Sequence, residues 1–424
     1  MKILVIGGGG REHALVWKLA GERHVAEIVC APGNAGAARL ARCVPVDPGD
    51  PHALLALVER EQIDFTIIGP ELPLSRGVAD LFAREGRLLF GPSQAAAELE
   101  SSKVFAKQFM TRHGVPTARY AICDAAEEAR ALIARGDFGF PLVLKADGLA
   151  AGKGVVIAAD RDAALAAIDA AMVDRCFGDA GMTLVVEEHL LGREASFFVL
   201  TDGTRSIPLP SAEDHKRRFD ADRGPNTGGM GAFAPSPLID SPVSDRILRE
   251  IVEPVIGGMR AEGREFRGFL YVGLMLTSEG PKVIEFNVRL GDPEAQVVLP
   301  TIDDDLLPLL VTAASGRLTE RSCRFGDRPH VGVVIASAGY PDACETGRPI
   351  AGLDEAEGMS DVIVFHAGTI HRDRQVVTTG GRVLTIVGRG SDFAAAIERA
   401  YAGVDCIRFD GLQFRRDIGR RALQ

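Results

Sequence analysis

The chain of 424 residues carries a formal net charge of −10, with 46% hydrophobic and 25% charged residues. This is the composition of a globular protein long enough for about three domains. The acidic balance argues against a nucleic-acid scaffold, which needs a cationic surface, and leaves room for a local basic pocket.

Residues 1 to about 101 alternate short apolar runs with helical patterns. Strands are expected at Ile3–Ile6, Glu27–Ala31, Cys43–Val46, Phe65–Ile68 and Leu88–Phe90, and helices near Arg11–Ala20, His52–Glu61, Ser75–Arg84 and Gln94–Arg112. Buried-type strands alternating with helices predict a doubly wound parallel sheet, with a ligand crevice at the strand C-terminal ends. The opening apolar run is too short for a secretory leader, and no stretch approaches a membrane span. From about 102 to 324 the pattern is mixed. Strands are expected at Leu142–Lys145, Val155–Ala158, Leu184–Glu187, Ala195–Leu200, Phe269–Leu276 and Val283–Asn287, with helices near 124–135, 161–174, 244–262 and 304–315. The remainder, 325–424, reads as a smaller α+β unit with strands Val331–Ala336, Val362–Ala367 and Val383–Val387 and a helix near 392–403. Seven scattered cysteines without a Cys-x-x-Cys spacing argue against a disulfide framework or zinc site and for a reducing cytoplasm.

Glycines (48) and prolines (23) exceed their usual joint share of about 12%, and many lie in loops suited to anions. Gly7-Gly8-Gly9-Gly10, between a strand and a helix, offers backbone amides to a phosphate. The nicotinamide fingerprint fails, because Glu12 or His13 stands where its third glycine belongs. A tight turn would use the same glycines. Lys145-Ala146-Asp147-Gly148 to Gly152-Lys153-Gly154 joins two strands as a glycine-rich flap flanked by lysines, and its spacing is not that of a P-loop. Glu187-Glu188 ends a strand, where a carboxylate meets either solvent or nucleotide hydroxyls. Glu285, Asn287 and Arg289 share one face of a strand. The first two make an oxygen pair suited to Mg²⁺, the third a partner for a transferring phosphoryl group, although an amphipathic edge strand would look the same. Two polar islands, Asp214–Arg218 and Gly224–Ala232, complete the set, and no histidine spacing indicates a metal.

Together these residues resemble the phosphoribosylamine–glycine ligase family. The resemblance rests on Gly-Arg-Glu-His-Ala-Leu at 10–15, Ala-Pro-Gly-Asn-Ala-Gly at 31–36, Gly-Pro-Glu at 69–71 and the 145–154 flap. It extends through Asp-His-Lys-Arg at 214–217, Gly-Pro-Asn-Thr-Gly-Gly-Met-Gly-Ala at 224–232, Arg-Leu-Gly-Asp-Pro-Glu-Ala-Gln at 289–296 and Phe-His-Ala-Gly-Thr at 365–369. Departures are confined to Gly8, Val288 and Leu290.

The resemblance implies an ATP-grasp fold: an N-terminal phosphoribosyl-binding domain at 1–101, an ATP-grasp domain at 102–324 with a lid at about 122–190, and a C-terminal domain at 325–424. It implies ATP-dependent joining of glycine to 5-phospho-β-D-ribosylamine through glycyl phosphate, the second step of purine synthesis, with Mg²⁺ or Mn²⁺. Lys103, Lys145 and the loop residues Gly148, Gly152, Lys153 and Gly154 are expected on the ATP phosphates, Glu187 and Glu188 at the adenine and Glu194 at the ribose. Glu285 and Asn287 are the expected metal ligands and Arg289 the acyl-phosphate partner, while Asp214, Lys216 and Asp292 bound the glycine site. Gly9, Gly10, Gly33, Asn34, Glu71, Asn226 and Thr227 are the expected substrate contacts. The partners implied are small molecules, with no nucleic acid and no membrane, and a monomer or weak homodimer. Another ATP-grasp ligase, such as a carboxylase of a purine intermediate or of biotin, shares the flap and the Glu-x-Asn pair. A nucleotide sensor without turnover would not need to keep Lys145, Glu285, Asn287 and Arg289 together.

Overall fold

The structure is a computed structural model and describes residues 1–148 and 154–424. Strands β1 (Lys2–Gly7), β2 (Glu27–Pro32), β3 (Arg42–Cys43), β4 (Phe65–Ile68) and β5 (Leu89–Phe90) form a parallel sheet in the order β3-β2-β1-β4-β5. Side chains alternate across it, as a strand requires. Ile3 and Val5 pack with Leu15 and Leu19 on one face, and Leu4 and Ile6 with Leu54 and Val58 on the other. Both cores run on into the central region, the first to Leu200 and Leu306, the second to Val272 and Phe286. The N-terminal sheet is thus fused to the rest by shared apolar packing.

Two expected helices are each a pair. The Gln94–Arg112 run breaks at Ser102, which is extended (φ −131°, ψ 113°) and accepts from the Phe105 N–H at 3.0 Å. A serine that caps is favoured over one inside a helix. The Ser75–Arg84 run is replaced by Glu71–Ser75 and Val78–Arg84, separated by Gly77 at φ 74°.

A second sheet contains β6 (Tyr120–Cys123), β7 (Leu142–Ala146), β8 (Val155–Ala158) and β9 (Leu184–Glu188), antiparallel in the order β6-β9-β7-β8. It has its own core of Leu132, Leu144, Ile168 and Val186. The third sheet is the largest. Its members are β10 (Arg193–Thr201), β11 (Ser206–Asp214), β14 (Gly231–Ala234), β15 (Gly268–Thr277), β16 (Gly280–Asn287), β17 (His330–Ala336), β18 (Val362–His366) and β21 (Arg382–Arg389), in the order β16-β15-β10-β11-β14-β17-β21-β18. Two hairpins stand beside it: β12 (Arg217–Phe219) with β13 (Arg223–Asn226), and β19 (Thr369–Arg372) with β20 (Gln375–Thr378).

The polar islands of the sequence are therefore ordered: the first hairpin and β14 arise from them. Pairing of β14 with β17 carries the sheet from the central region into the C-terminal one, so the last hundred residues extend an existing sheet while adding a core of Val331, Ile335, Leu384 and Ala400. Among the described residues, no helix is long and apolar enough to cross a membrane, and the seven cysteines are free thiols.

Candidate active site

The second and third sheets face each other across a cleft. On β16, Glu285 and Asn287 point to one side while Phe286 between them is buried. Lys216, just beyond β11, places its Nζ 3.1 Å from Glu194 Oε2 and 3.8 Å from Glu285 Oε1. Burial would depress this lysine, but Glu194, Asp214 and Glu285 outweigh it and hold Lys216 well above the usual value. Glu285 is the reverse: burial raises it, and Lys216, Lys145 and Lys103 together keep it below an ordinary carboxyl. Asp214 is pushed up to about 7 by burial, with Lys216 opposing and Glu294, Glu194 and Glu285 adding. The cluster thus pairs a firmly charged lysine with a carboxyl that is readily protonated.

Across the cleft, Lys145 on β7 donates to the Ile284 carbonyl at 2.9 Å and lies 3.0 Å from Glu187 Oε1. Glu187 is shared, because Lys107 Nζ approaches its other oxygen at 3.0 Å and donates to Thr117 Oγ1 at 2.7 Å. Burial depresses Lys107 to about 8 against the pull of Glu187. Lys107 belongs to none of the sequence motifs, although it stands one helical turn after Lys103 on the Lys103–Arg112 helix, a spacing that puts both on one face. Lys103 Nζ donates to the Gly148 carbonyl at 2.8 Å and is depressed by burial, with Glu285 and Asp147 opposing. Glu188 turns away to Arg119, at 2.7 Å. Gly154 precedes β8, while Gly152 and Lys153 lie outside the described residues.

Arg289 is the most heavily braced residue of the site. Its Nη2 donates to Glu100 Oε1 at 2.6 Å and to Asn287 Oδ1 at 3.1 Å, and its Nε lies 3.2 Å from Glu71 Oε2. Glu100 spends its other oxygen on the Val288 N–H at 2.8 Å. Burial alone would lower Arg289, and Glu100 and Glu71 raise it instead. Glu71 therefore pairs with Arg289, and Glu100 is a second partner absent from the sequence reading. Asp292 accepts from Gln296 Nε2 at 2.8 Å and lies 3.1 Å from Arg382 Nη2. Burial raises its carboxyl, and Arg382 and Arg11 more than reverse this.

The glycine turns come close to this group and also make contacts within the protein. Glu12 Oε2 accepts the Gly9 N–H at 2.6 Å, so that amide is taken by the protein. A Cβ at Gly9 would lie 3.4 Å from Asp292 Oδ2, and one at Gly10 would collide with Gln296 Nε2 at 2.4 Å. Two segments of the chain meet there, with glycine giving the clearance. The Gly33 N–H is likewise taken, by the Gly7 carbonyl at 3.1 Å. Asn34 is a brace: its Nδ2 donates to the carbonyls of Gly8, Gly9 and His366 at 3.0, 3.2 and 2.8 Å. Its Oδ1 accepts from Gly36 and Ala37 at 3.1 and 2.9 Å. Thr227 is also internal, its hydroxyl donating to the Lys216 carbonyl at 2.8 Å and accepting from Gly229 N at 3.0 Å. Asn226 pairs with Arg217 in the small hairpin.

These donors fit the groups that the sequence suggested. Cationic Lys103 and Lys145 border the flap, and two hard oxygens two residues apart on β16 face the same cleft, as a divalent cation with further phosphate and water ligands requires. Among the described residues no cluster of three or more histidine, cysteine or carboxylate side chains could hold a metal alone, so a cation there would complete its shell with water or substrate oxygens.

Comparison with known proteins shows the family. The phosphoribosylglycinamide synthetase N domain matches residues 1–100, its ATP-grasp (A) domain residues 101–295 and its C domain residues 330–421. The phosphoribosylamine–glycine ligase of Ralstonia nicotianae is 48% identical over 425 residues, spanning 100% of both chains, and that of Allochromatium vinosum is 48% identical over 100% of this chain and 99% of its own. The crystal structure of the Thermotoga maritima phosphoribosylamine–glycine ligase superposes with a TM-score of 0.86 at 34% identity, over 98% of this chain and 100% of that one. Biotin carboxylase from Campylobacter jejuni, at 19% identity and a TM-score of 0.74 over 97% and 92% of the two chains, shares the fold. With three domain matches covering most of the chain, and relatives about half identical from end to end, the chain belongs to the phosphoribosylglycinamide synthetase family of ATP-grasp ligases.

Proposed function

We propose that this enzyme ligates glycine to 5-phospho-β-D-ribosylamine at the expense of ATP, giving glycinamide ribonucleotide, ADP and phosphate. The observation that carries the reading is the meeting, in one cleft, of Lys103 and Lys145 with Glu285, Asn287, Arg289 and Lys216. A carboxylate is a poor electrophile, so an oxygen of glycine first attacks the γ-phosphorus of ATP and ADP leaves. The sugar amine then attacks the carbonyl carbon of glycyl phosphate. Phosphate departs with the C–O electron pair, and the nitrogen loses a proton to water. The amine is largely neutral near pH 7, so no dedicated base is needed, and positioning with charge stabilisation supplies the catalysis.

Lys103 and Lys145 hold the ATP phosphates together with the flap glycines Gly148, Gly152 and Gly154 and with Lys153. Glu187 and the backbone at Glu188 receive the adenine, and Glu194 the ribose. Glu285 and Asn287 would ligate Mg²⁺ or Mn²⁺, which when bound neutralises phosphate charge. Arg289 meets the acyl phosphate from a fixed position. Asp214, Lys216 and Asp292 bound the glycine site: an ammonium group arriving beside Asp214 keeps its carboxyl ionised, opposing the effect of burial. The turns at Gly9-Gly10 and Gly33 border the phosphoribosyl group. The free thiols favour a reducing cytoplasm, and we take the protein to act on these small molecules as a monomer or weak homodimer.

The test is ADP release with Mg-ATP, glycine and phosphoribosylamine made in situ from ribose 5-phosphate and ammonia. Release is expected only with both co-substrates. Release that persists without glycine, or that bicarbonate supports in its place, overturns the reading.

A further inference from the structure

Two cysteines that the ligation chemistry does not use stand side by side in the N-terminal sheet. Cys30 of β2 and Cys43 of β3 are direct partners in a parallel pairing, so their side chains leave the sheet on the same face. Neighbouring strands lie about 4.8 Å apart, within the range of about 4.4–6.8 Å that a disulfide spans between Cα atoms. Both side chains converge on one point: a Cβ built on Gly33 would lie 2.3 Å from Cys43 Sγ and 3.5 Å from Cys30 Cβ. Cys30 Sγ also approaches the Gly7 carbonyl at 3.5 Å, and Cys43 Sγ the Asn34 carbonyl at 3.9 Å. The pair therefore sits directly beneath the turns that tie the two glycine loops together.

We propose that Cys30 and Cys43 form a modification site, a dithiol that a peroxide converts reversibly into a disulfide beneath the Gly33–Asn34 turn. The two sulfurs are unequal in the way the chemistry needs. Cys30 is fully buried, whereas Cys43 is partly open to solvent. The neighbouring Cys30 thiol lowers Cys43, while the same proximity, with burial, raises Cys30. The Cys43 thiolate attacks a peroxide oxygen, the O–O bond breaks, and a sulfenic acid forms with release of water after proton transfer. Cys30 then attacks that sulfur, and the S–O bond breaks as a second water leaves. The two thiols lose two electrons in all, which the peroxide accepts.

The experiment uses the full chain in a Cys176→Ser background, which removes an exposed thiol and leaves six of the seven. After treatment with hydrogen peroxide, titratable thiols are expected to fall from six to four. Peptide mass spectrometry should show a Cys30–Cys43 linked peptide that dithiothreitol abolishes. A further Cys30→Ser change should instead leave Cys43 as a sulfenic acid that dimedone traps. Oxidation at other cysteines with no such peptide, or no loss of thiols at a peroxide concentration that oxidises glutathione, overturns the proposal. The expected consequence, a several-fold rise in KM for phosphoribosylamine with KM for ATP unchanged, rests on the ligase reading. The linked peptide is detected by mass, so a failure of that reading leaves the cysteine result distinguishable.

Discussion

Replacing Glu100 tests whether Arg289 works from a fixed position. Glu100 is a buried carboxylate whose two oxygens serve two different donors, Arg289 Nη2 at 2.6 Å and the Val288 N–H at 2.8 Å. Glu100→Ala leaves the Val288 amide without its partner, at a cost of about 1–3 kcal/mol. It also removes one carboxylate from a buried cation. Truncating one partner of a buried pair costs about 3–5 kcal/mol, reduced here because Glu71 and Asn287 still contact Arg289. A loss of about 3 kcal/mol in stability is therefore expected for the sum. Glu100→Gln is informative because an amide offers one oxygen and one NH₂ group. In either orientation a donor faces a donor, so the usual conservative change should cost nearly as much as alanine.

In catalysis, removing a positioned donor costs about 10²–10³ in kcat. Arg289 is loosened rather than lost in these variants, so kcat should fall about tenfold to a hundredfold, with KM for ATP nearly unchanged. ADP release under saturating substrates and urea unfolding of both variants are the measurements. If Glu100→Gln matches the parent in both, the bracing of Arg289 carries no catalytic weight and the reasoning fails.

Other residues give independent tests. Burial depresses His13 and His215 to about 3 and His330 to about 4, whereas the unfolded chain binds these protons near pH 6.5. The unfolded state thus holds more protons between these values, and stability rises with pH through that window. Between pH 7 and pH 5 each histidine should remove about 2 kcal/mol. A urea midpoint that does not move over that interval would refute this. Lys107→Met strips Glu187 of one of its two lysines; KM for ATP is expected to rise about tenfold, the equivalent of about 1.4 kcal/mol, with a smaller effect on glycine, and equal changes for both substrates would count against a nucleotide-side role. Glu285→Ala combined with Asn287→Ala should abolish turnover, and near-normal activity at saturating Mg²⁺ would remove both from the metal site.

What the sequence disclosed follows the range of the interactions involved. The strands of the parallel sheet, the strands β7 and β8 and the shared face of Glu285 and Asn287 were readable because each depends on residues within a few positions of one another. The bracing was not. Glu100 meets Arg289 across 189 positions, and Asn34 meets the His366 carbonyl across 332; no spacing or periodicity signals either. Strands β11 and β14 escaped for another reason. The first contains Pro208, Ser211 and Glu213, the second follows a glycine-rich run, and both owe their extended form to neighbours in the sheet rather than to local preference. The same distinction applies to the N-terminal glycines. Glycines between a strand and a helix signal a backbone that must turn tightly, but not what fills the space so made. Here Glu12 takes the Gly9 amide and Asn34 the Gly8 and Gly9 carbonyls, while Gly9 lies close to Asp292. Distant segments bring further side chains to that end of the cleft, Asp292 and its partner Arg382 among them, and no local spacing announces that pairing.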